Sequence, residues 1–388
     1  MMPNKVLFCA TVDYHFKLFH IPYLQWFKKQ GWEVHVAANG NMNLPYVDVK
    51  YDIPIQRSPF AQKNIEAYKI LRHLIRKNQY QIVHCHTPMG GTLARLAARS
   101  ARKRGTKVIY TAHGFHFCKG APLPNWLLYY PIERKLASYT DCLITINQED
   151  FQLAKKRFKT KHVEHVHGVG VNTDEFKPLS INEKTEARKS YGYKLEDFLL
   201  FYAAEFNKNK NQKLLIEALA RINDSGQNIK LLLAGKGELQ DKCKQLAEDL
   251  GVRENVRFLG YVNEIKKIVS ICDVAVGSSL REGLPVNIME AMACGLPVVA
   301  TLNRGHAELV VNHRNGYIVP VHDIEGFSRH LLDIYQSRET YNAMSKESLN
   351  RVNKYSITQV EKSLNRIYLS YMMEGENGSK SKYNRAYL

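Results

Sequence analysis

Arg281-Glu282-Gly283-Leu284-Pro285-Val286-Asn287-Ile288-Met289-Glu290-Ala291-Met292-Ala293-Cys294-Gly295-Leu296-Pro297-Val298-Val299-Ala300-Thr301 is the stretch on which the fold turns. Pro285 suits a first helical position, where its missing N–H costs nothing. Met289 to Cys294 continue a helix-compatible run, and Gly295 is a C′ stop. Leu296 to Ala300 then read as a buried strand. Glu282 and Glu290 bracket the helix start. Eight residues at 1.5 Å rise span about 12 Å, the reach from a hexose across two phosphates to a ribose. The amides of Gly283 and Leu284 would point out of the helix start toward an anion. Carboxylates accept strong hydrogen bonds from vicinal hydroxyls. The pattern therefore suits a nucleotide-sugar, with Glu282 on the sugar and Glu290 on the ribose. Taken without its flanks, the pair also reads as a dipole-favoured helix-start glutamate and an exposed helical one.

With its flanking Gly-Leu-Pro and Ala-Cys-Gly-Leu-Pro-Val-Val-Ala-Thr, the block closely resembles the E-x7-E signature of retaining family 4 glycosyltransferases of the GT-B fold. The resemblance implies an α/β protein with two Rossmann-like doubly wound domains facing a cleft. The pattern along the chain agrees. Strand-like runs at 5–11, 33–39, 81–87, 107–113, 142–147 and 163–167 alternate with amphipathic stretches such as 64–78 and 92–104. A second series follows at 198–205, 229–235, 256–261, 274–278, 297–301 and 317–320. Such alternation argues for parallel sheets. The expected organisation is an acceptor-side domain over 1–178, a polar linker, and a nucleotide-sugar domain over 197–354. A helix over 355–373 follows, which the resemblance returns to the first domain, and then a disordered tail over 374–388.

Composition bounds the remaining choices. The chain has 388 residues, more than one core usually serves, and 45% hydrophobic against 24% charged residues. No apolar run approaches membrane-span length, and Met-Met-Pro-Asn-Lys leads into a strand pattern without a signal-peptide core. A cytoplasmic location is expected. Seven scattered cysteines without a C-x-x-C pair point to neither disulfides nor a structural zinc site. The net charge is +18, and residues 1–178 hold 26 Lys+Arg against 12 Asp+Glu, compared with 29 against 25 in the remainder. An anionic partner of the first half follows. No nucleic-acid motif accompanies the charge, so nucleic acid ranks last. Arg95, Arg99, Arg102, Lys103 and Arg104 crowd one helix end, near the apolar Pro124–Pro131 run and Lys155-Lys156-Arg157. This suits peripheral binding to an anionic membrane on the inner face. The rival reading makes Leu127, Leu128 and Tyr130 core and the basic cluster a solvated face.

Further residues carry chemistry through the resemblance. His113, ending the strand Thr111-Ala112-His113, matches the family's cleft histidine beside the reacting carbon; taken alone, a histidine at a strand end is more often structural. Lys210 matches a diphosphate-binding lysine. Glu205 stands where the family's arginine is expected, which puts a two-cation clamp in doubt, and a solvated Lys/Asn loop is the alternative. Asp13, His15 and His20 are acceptor-side candidates or sheet caps. His84 and His86 share a strand face, but two imidazoles are too few for a metal site, so neither a metal nor a cofactor is expected.

The Asp-Tyr-His-Phe loop and the His-Thr-Pro-Met-Gly-Gly run resemble bacterial exopolysaccharide or capsule enzymes. The implied reaction moves a sugar from a UDP-sugar donor to a polyprenyl-diphosphate-linked saccharide acceptor, with retention. His113 and Glu282 would act at the sugar, and Lys210, Gly283, Leu284 and Glu290 on the rest of the donor. A GT-B nucleotide-sugar epimerase and a non-catalytic lipid-binding scaffold are the alternatives.

Overall fold

The computed structural model describes residues 3–223 and 227–376. The chain divides into two compact units. One gathers the chain up to Gly168 together with the segment from Val360, and the other is Val169–Gln359.

The first unit is built on a seven-stranded sheet. Its strands are β1 (Lys5–Val12), β2 (Glu33–Asn39), β3 (Val49–Asp52), β4 (Ile82–His86), β5 (Lys107–Ala112), β6 (Cys142–Thr145) and β7 (His162–His165). All pairings are parallel, in the order β3-β2-β1-β4-β5-β6-β7. Because side chains alternate along a strand, β1 feeds two cores. Leu7 and Cys9 meet the helices Lys63–Asn78 and Pro88–Arg102 on one face. Val6, Phe8 and Ala10 meet Leu24 and Phe27 of the helix Ile21–Lys29 on the other. That second core also takes Val360, Leu364, Ile367, Tyr368 and Tyr371 from the helix Ile357–Glu376. Their spacing of four, three, one and three is a single helical stripe.

The second unit repeats the plan with six parallel strands: β8 (Phe198–Ala203), β9 (Ile229–Ala234), β10 (Val256–Gly260), β11 (Val274–Gly277), β12 (Val298–Thr301) and β13 (Gly316–Val319). Their order is β10-β9-β8-β11-β12-β13. In each sheet the strand order reverses beside the first strand, between β1 and β4 and between β8 and β11. Loops leaving the carboxyl ends at such a reversal diverge and open a crevice. The loops after β8 and β11 carry Lys210 and Glu282. The loops after β1 and β5, with the end of β4, carry the histidines.

Several expectations are corrected. The stretch taken for a linker holds the helix Ile181–Ser190, opened by a capping box in which Ser180 and Glu183 satisfy each other's backbone amides. Arg188 of that helix is buried, bonded to Asp273 at 2.6 Å and to the Ile271 carbonyl at 2.9 Å. The edge strand β3 has no sequence counterpart because Val-Lys-Tyr-Asp is short and only half-buried. Pro285 is the N-cap of a helix over Val286–Ala293 instead of its first residue. The helix expected to end at 373 runs to Glu376, and the rest of the expected disordered tail lies outside the described residues.

Arg95 is not a surface charge. It is fully buried, donates to both oxygens of Glu133 at 2.8 and 3.0 Å, and lies 3.7 Å from the Tyr110 ring centroid. A buried pair of this kind is costly to break from one side, because the surviving charge keeps its desolvation penalty. Glu133→Ala is expected to cost about 3–5 kcal/mol in urea unfolding, and Arg95→Met/Glu133→Leu much less.

Candidate active site

The loop Ala204–Asn211 after β8 and the loop Ser278–Pro285 after β11 are tied together by main-chain and side-chain bonds. Leu280 N–H donates to the Asn209 carbonyl at 2.8 Å, and Asn209 Nδ2 donates to the Arg281 carbonyl at 3.0 Å. Ser278 Oγ donates to the Lys210 carbonyl at 2.7 Å. The buried Tyr202 hydroxyl lies 2.7 Å from Ser279 Oγ, and burial pushes its pKa well up, keeping it a neutral partner. Thr301 Oγ1 donates to the Ser279 carbonyl at 2.7 Å. The hydroxyls therefore hold the backbone of both loops and leave the charged side chains to project from them.

Those side chains meet. Lys210 Nζ lies 2.5 Å from Glu282 Oε1, with side-chain exposures of 25% and 14%. This partial desolvation makes the pair stronger than a surface salt bridge. Glu205, by contrast, is exposed and its carboxylate accepts from Asn207 Nδ2 at 3.1 Å. Lys208 is also exposed. The Arg304 Nε donates to the Glu282 carbonyl at 3.0 Å and brings a second cation to this loop.

The turn Gly283-Leu284 leads into Val286–Ala293, a helix whose start has no side-chain cap. Its first amides are suited to an anion. Asn287 fixes the helix by donating from Nδ2 to the Ala203 carbonyl at 2.9 Å. Glu290, one turn further on, is half-buried, and desolvation, then the Glu175 carboxylate, raises its pKa to about 7. Gly295 follows at φ +79°, the left-handed stop expected after this helix. His306 backs the site. It is buried, its Nδ1 donates to the Thr301 carbonyl at 2.7 Å, and burial lowers its pKa although Glu282 opposes the shift.

In the first unit, His113 does not stand alone at its strand end. Its Nε2 is 3.4 Å from His86 Nδ1, which is 3.2 Å from His20 Nε2. The His15 ring centroid lies 4.8 Å from those of His20 and His113. Burial lowers the pKa of His113 to about 4, and that of the other three further. His84 shares the strand face with His86 but is a structural residue, bonded at 2.8 Å to both Tyr368 and Thr111 hydroxyls. Asp13 is likewise structural, accepting from the Met42 amide at 2.8 Å and pairing with Lys50 at 3.1 Å.

Beside the histidines is an apolar cavity of about 1030 Å³, lined by Tyr14, Leu18, Phe60, Leu93, Leu96 and Ile132, with Arg57 also in its wall. Tyr68 and Leu96 are shared with a basic hollow carrying Arg72, Arg99 and Lys103. Leu123, Leu127 and Leu128 of the helix Leu123–Ala137 are exposed, whereas Trp126 and Tyr130 pack on the core. Arg102 pairs with Asp141 at 3.0 Å. Of the basic cluster, Arg99, Lys103 and Arg104 remain exposed.

The structure thus joins Lys210 to Glu282 and places Gly283, Leu284 and Glu290 on the same loop and helix, with His113 in the other unit. Arg304, His306 and the Ser278–Ser279 pair were not assigned from sequence. Their roles arise from packing between segments separated by more than twenty residues, for which no local motif exists.

Two family models match, "Glycosyl transferases group 1" over residues 183–351 and "Glycosyl transferase 4-like" over residues 5–147. The chain is 49% identical to EpsD of Bacillus subtilis (strain 168), named as a glycosyltransferase, across 96% of this chain and 98% of the relative. It is 29% identical to the Escherichia coli UDP-Gal:alpha-D-GlcNAc-diphosphoundecaprenol alpha-1,3-galactosyltransferase, across 80% of this chain and 81% of the relative. Among solved structures, Anabaena Alr3699/HepE in complex with UDP and glucose matches with a TM-score of 0.76 at 17% identity, across 95% of this chain and 100% of that one. That similarity shows the GT-B fold.

Gly305 offers a test of how the Glu282 loop is held. A Cβ there would stand 2.7 Å from Glu282 Cβ and 3.0 Å from Pro285 Cδ. Gly305→Ala should overpack this contact, costing about 1–3 kcal/mol in thermal unfolding, and a crystal structure of the variant should show Glu282 displaced.

Proposed function

From the premise that the chain belongs to the group 1, family 4-like glycosyltransferases, we propose that it moves a sugar from a UDP-sugar to a polyprenyl-diphosphate-linked saccharide in exopolysaccharide or capsule synthesis. The observation that carries this reading is the coupled Lys210–Glu282 pair at the strand-order reversal of the second unit. A diphosphate arriving at Lys210 replaces Glu282 as the partner of the ammonium and releases the carboxylate to accept sugar hydroxyls. The amides at the start of Val286–Ala293 and the Arg304 guanidinium add positive potential for the leaving group. Glu290 accepts from the ribose, and His113 of the first unit hydrogen-bonds the sugar as a neutral imidazole.

Retention follows from attack on the face the nucleotide leaves. The acceptor hydroxyl oxygen bonds to the anomeric carbon as the bond from that carbon to the β-phosphate oxygen breaks. The departing phosphate takes the hydroxyl proton, so no enzyme nucleophile or metal is required by this step. The apolar cavity with its basic flank supports a lipid-linked acceptor, the hollow around Arg72, Arg99 and Lys103 taking the diphosphate and the cavity the chain. The exposed Leu123, Leu127 and Leu128 beside basic residues support peripheral binding to an anionic membrane. A donor panel of UDP- and GDP-sugars, scored for nucleotide release with and without a polyprenyl-diphosphate-linked saccharide, tests the proposal. Acceptor-stimulated release from a UDP-sugar supports it. Release only from GDP-sugars corrects the donor, and acceptor-free isomerisation identifies an epimerase. Glu282→Ala and Lys210→Ala should each lower transfer by about 100-fold or more with the fold intact by circular dichroism.

The state of Glu290 supplies a pH dependence. Its raised pKa means that it is largely protonated below about pH 7 and ionised above. A ribose hydroxyl donates to the carboxylate, so donor binding expels the proton and strengthens as pH rises through that value. Calorimetric affinity for a UDP-sugar should increase about tenfold from pH 6 to pH 8. Glu290→Gln should bind more weakly at pH 8 and show a flat profile.

A further inference from the structure

We propose that His15, His20, His86 and His113 form a binding site for one divalent transition-metal ion of the zinc class. Each of the four offers a ring nitrogen, and these nitrogens all lie within 4.8 Å of one another. The two closest separations, 3.2 Å between His20 Nε2 and His86 Nδ1 and 3.4 Å between His113 Nε2 and His86 Nδ1, match the edge of a zinc tetrahedron. Zinc–nitrogen bonds of 2.0–2.1 Å imply an edge of about 3.3–3.4 Å.

Hydrogen bonding alone accounts poorly for this cluster. A neutral imidazole has one N–H and one lone pair, so His86 Nδ1, facing two ring nitrogens, makes at most one well-directed bond to either. His15 Nε2, His20 Nδ1 and His86 Nε2 are buried without any hydrogen-bond partner, and His20 and His86 are 4% and 1% exposed. Four imidazoles brought together with so few bonds between them are costly to bury. A cation at their centre turns the converging lone pairs into ligand bonds and so accounts for the close approach of His20 Nε2, His86 Nδ1 and His113 Nε2, while His20 Nδ1 and His86 Nε2 carry the protons on the outward side. Neutral imidazole is the form that ligates.

The ligands also come from rigid and distinct supports. His15 is on the short helix Tyr14–Phe19 and His20 joins it to Ile21–Lys29. His86 ends β4, and His113 directly follows β5. The ion would clamp the segment after β1 onto the carboxyl edge of the sheet, next to the apolar cavity that His15 also lines. Imidazole ligands with no thiolate or carboxylate favour Zn²⁺, Co²⁺, Ni²⁺ or Cu²⁺ over Mg²⁺ or Ca²⁺. The inference shares His113 with the transferase proposal: the ion would take its Nε2, the nitrogen that faces His86, and leave Nδ1–H for the sugar, while the donor charges lie in the other unit.

The test uses the full chain, freed of any histidine tag and stripped with chelator, then reloaded with Zn²⁺ and desalted. Elemental analysis should find one zinc per chain, and added Zn²⁺ should raise the melting temperature. Co²⁺ titration should produce the visible d–d bands of a low-symmetry nitrogen site. His20→Gln and His86→Gln should each lose the bound ion, the thermal shift and the bands, while His73→Gln, at an exposed position, should keep all three. His15→Gln supplies a third variant should either buried substitution fail to fold by circular dichroism. Wild-type protein that retains no zinc and shows no bands overturns the proposal, as does undiminished zinc in folded His15→Gln and His86→Gln. The donor panel reads sugar transfer separately, and none of these variants alters His113.

Discussion

The hydroxyl bonds beneath Lys210 and Glu282 are the constraint on which the candidate donor site depends. A half-buried Lys–Glu pair would gain little if its loops were free, because fixing two long side chains and two loop backbones costs conformational entropy. Here that cost is met before any ligand arrives. Ser278 and Tyr202 bond to the Lys210 carbonyl at 2.7 and 3.4 Å, and Thr301 bonds to the Ser279 carbonyl at 2.7 Å. The backbone is set, and only the side-chain termini remain to reorganise. A site prepared in this way directs binding energy to the ligand's charge instead of to loop ordering.

The two units share a doubly wound plan yet use the carboxyl edge of the sheet differently. In Val169–Gln359 the edge carries opposite charges, hydroxyls and an uncapped helix start. In the first unit it carries neutral imidazoles and an apolar cavity. The first arrangement suits a polar, anionic molecule, and the second an amphipathic one. This division agrees with the proposed assignment of donor and lipid-linked acceptor. The fold itself supplies both edges by the same rule of strand order, and the side chains placed there decide the chemistry.

What could be read in the sequence was whatever depends on short-range pattern. Among the described residues, twelve of the thirteen strands have a counterpart in the sequence pattern, most of them as apolar runs because inner strands of a parallel sheet are buried on both faces. The exception, β3, is an edge strand with only intermediate and exposed positions. The helix Ile181–Ser190 had a legible start, since Ser180 and Glu183 stand at capping-box spacing, but its Lys- and Glu-rich composition hid the burial of Arg188. Arg95 was misread for the same reason: its partner Glu133 is 38 residues away. The Glu282–Glu290 spacing was local and visible, whereas the Lys210–Glu282 contact spans 72 residues. The His86 neighbours are 66 and 27 residues distant in opposite directions, so His86 belongs to a group of four that its strand neighbour His84 does not join.

Glu205 shows how the structure resolves a conflict that the sequence raises. An acidic residue where a phosphate-binding arginine is expected would weaken a diphosphate site if its charge faced the anion. Its carboxylate is exposed and held by Asn207 at 3.1 Å, so solvent screens it. The cation missing at that position has a counterpart from another direction. Arg304 reaches the Glu282 carbonyl at 3.0 Å from the turn after β12. A guanidinium carries five N–H groups in one plane and keeps its charge at any working pH. On the proposed reading, Lys210 and Arg304 make a two-cation clamp out of β8 and β12 loops instead of out of the β8 loop alone. The clamp then closes across the Glu282 loop, so that positioning the diphosphate and positioning the sugar-binding carboxylate become one and the same packing problem.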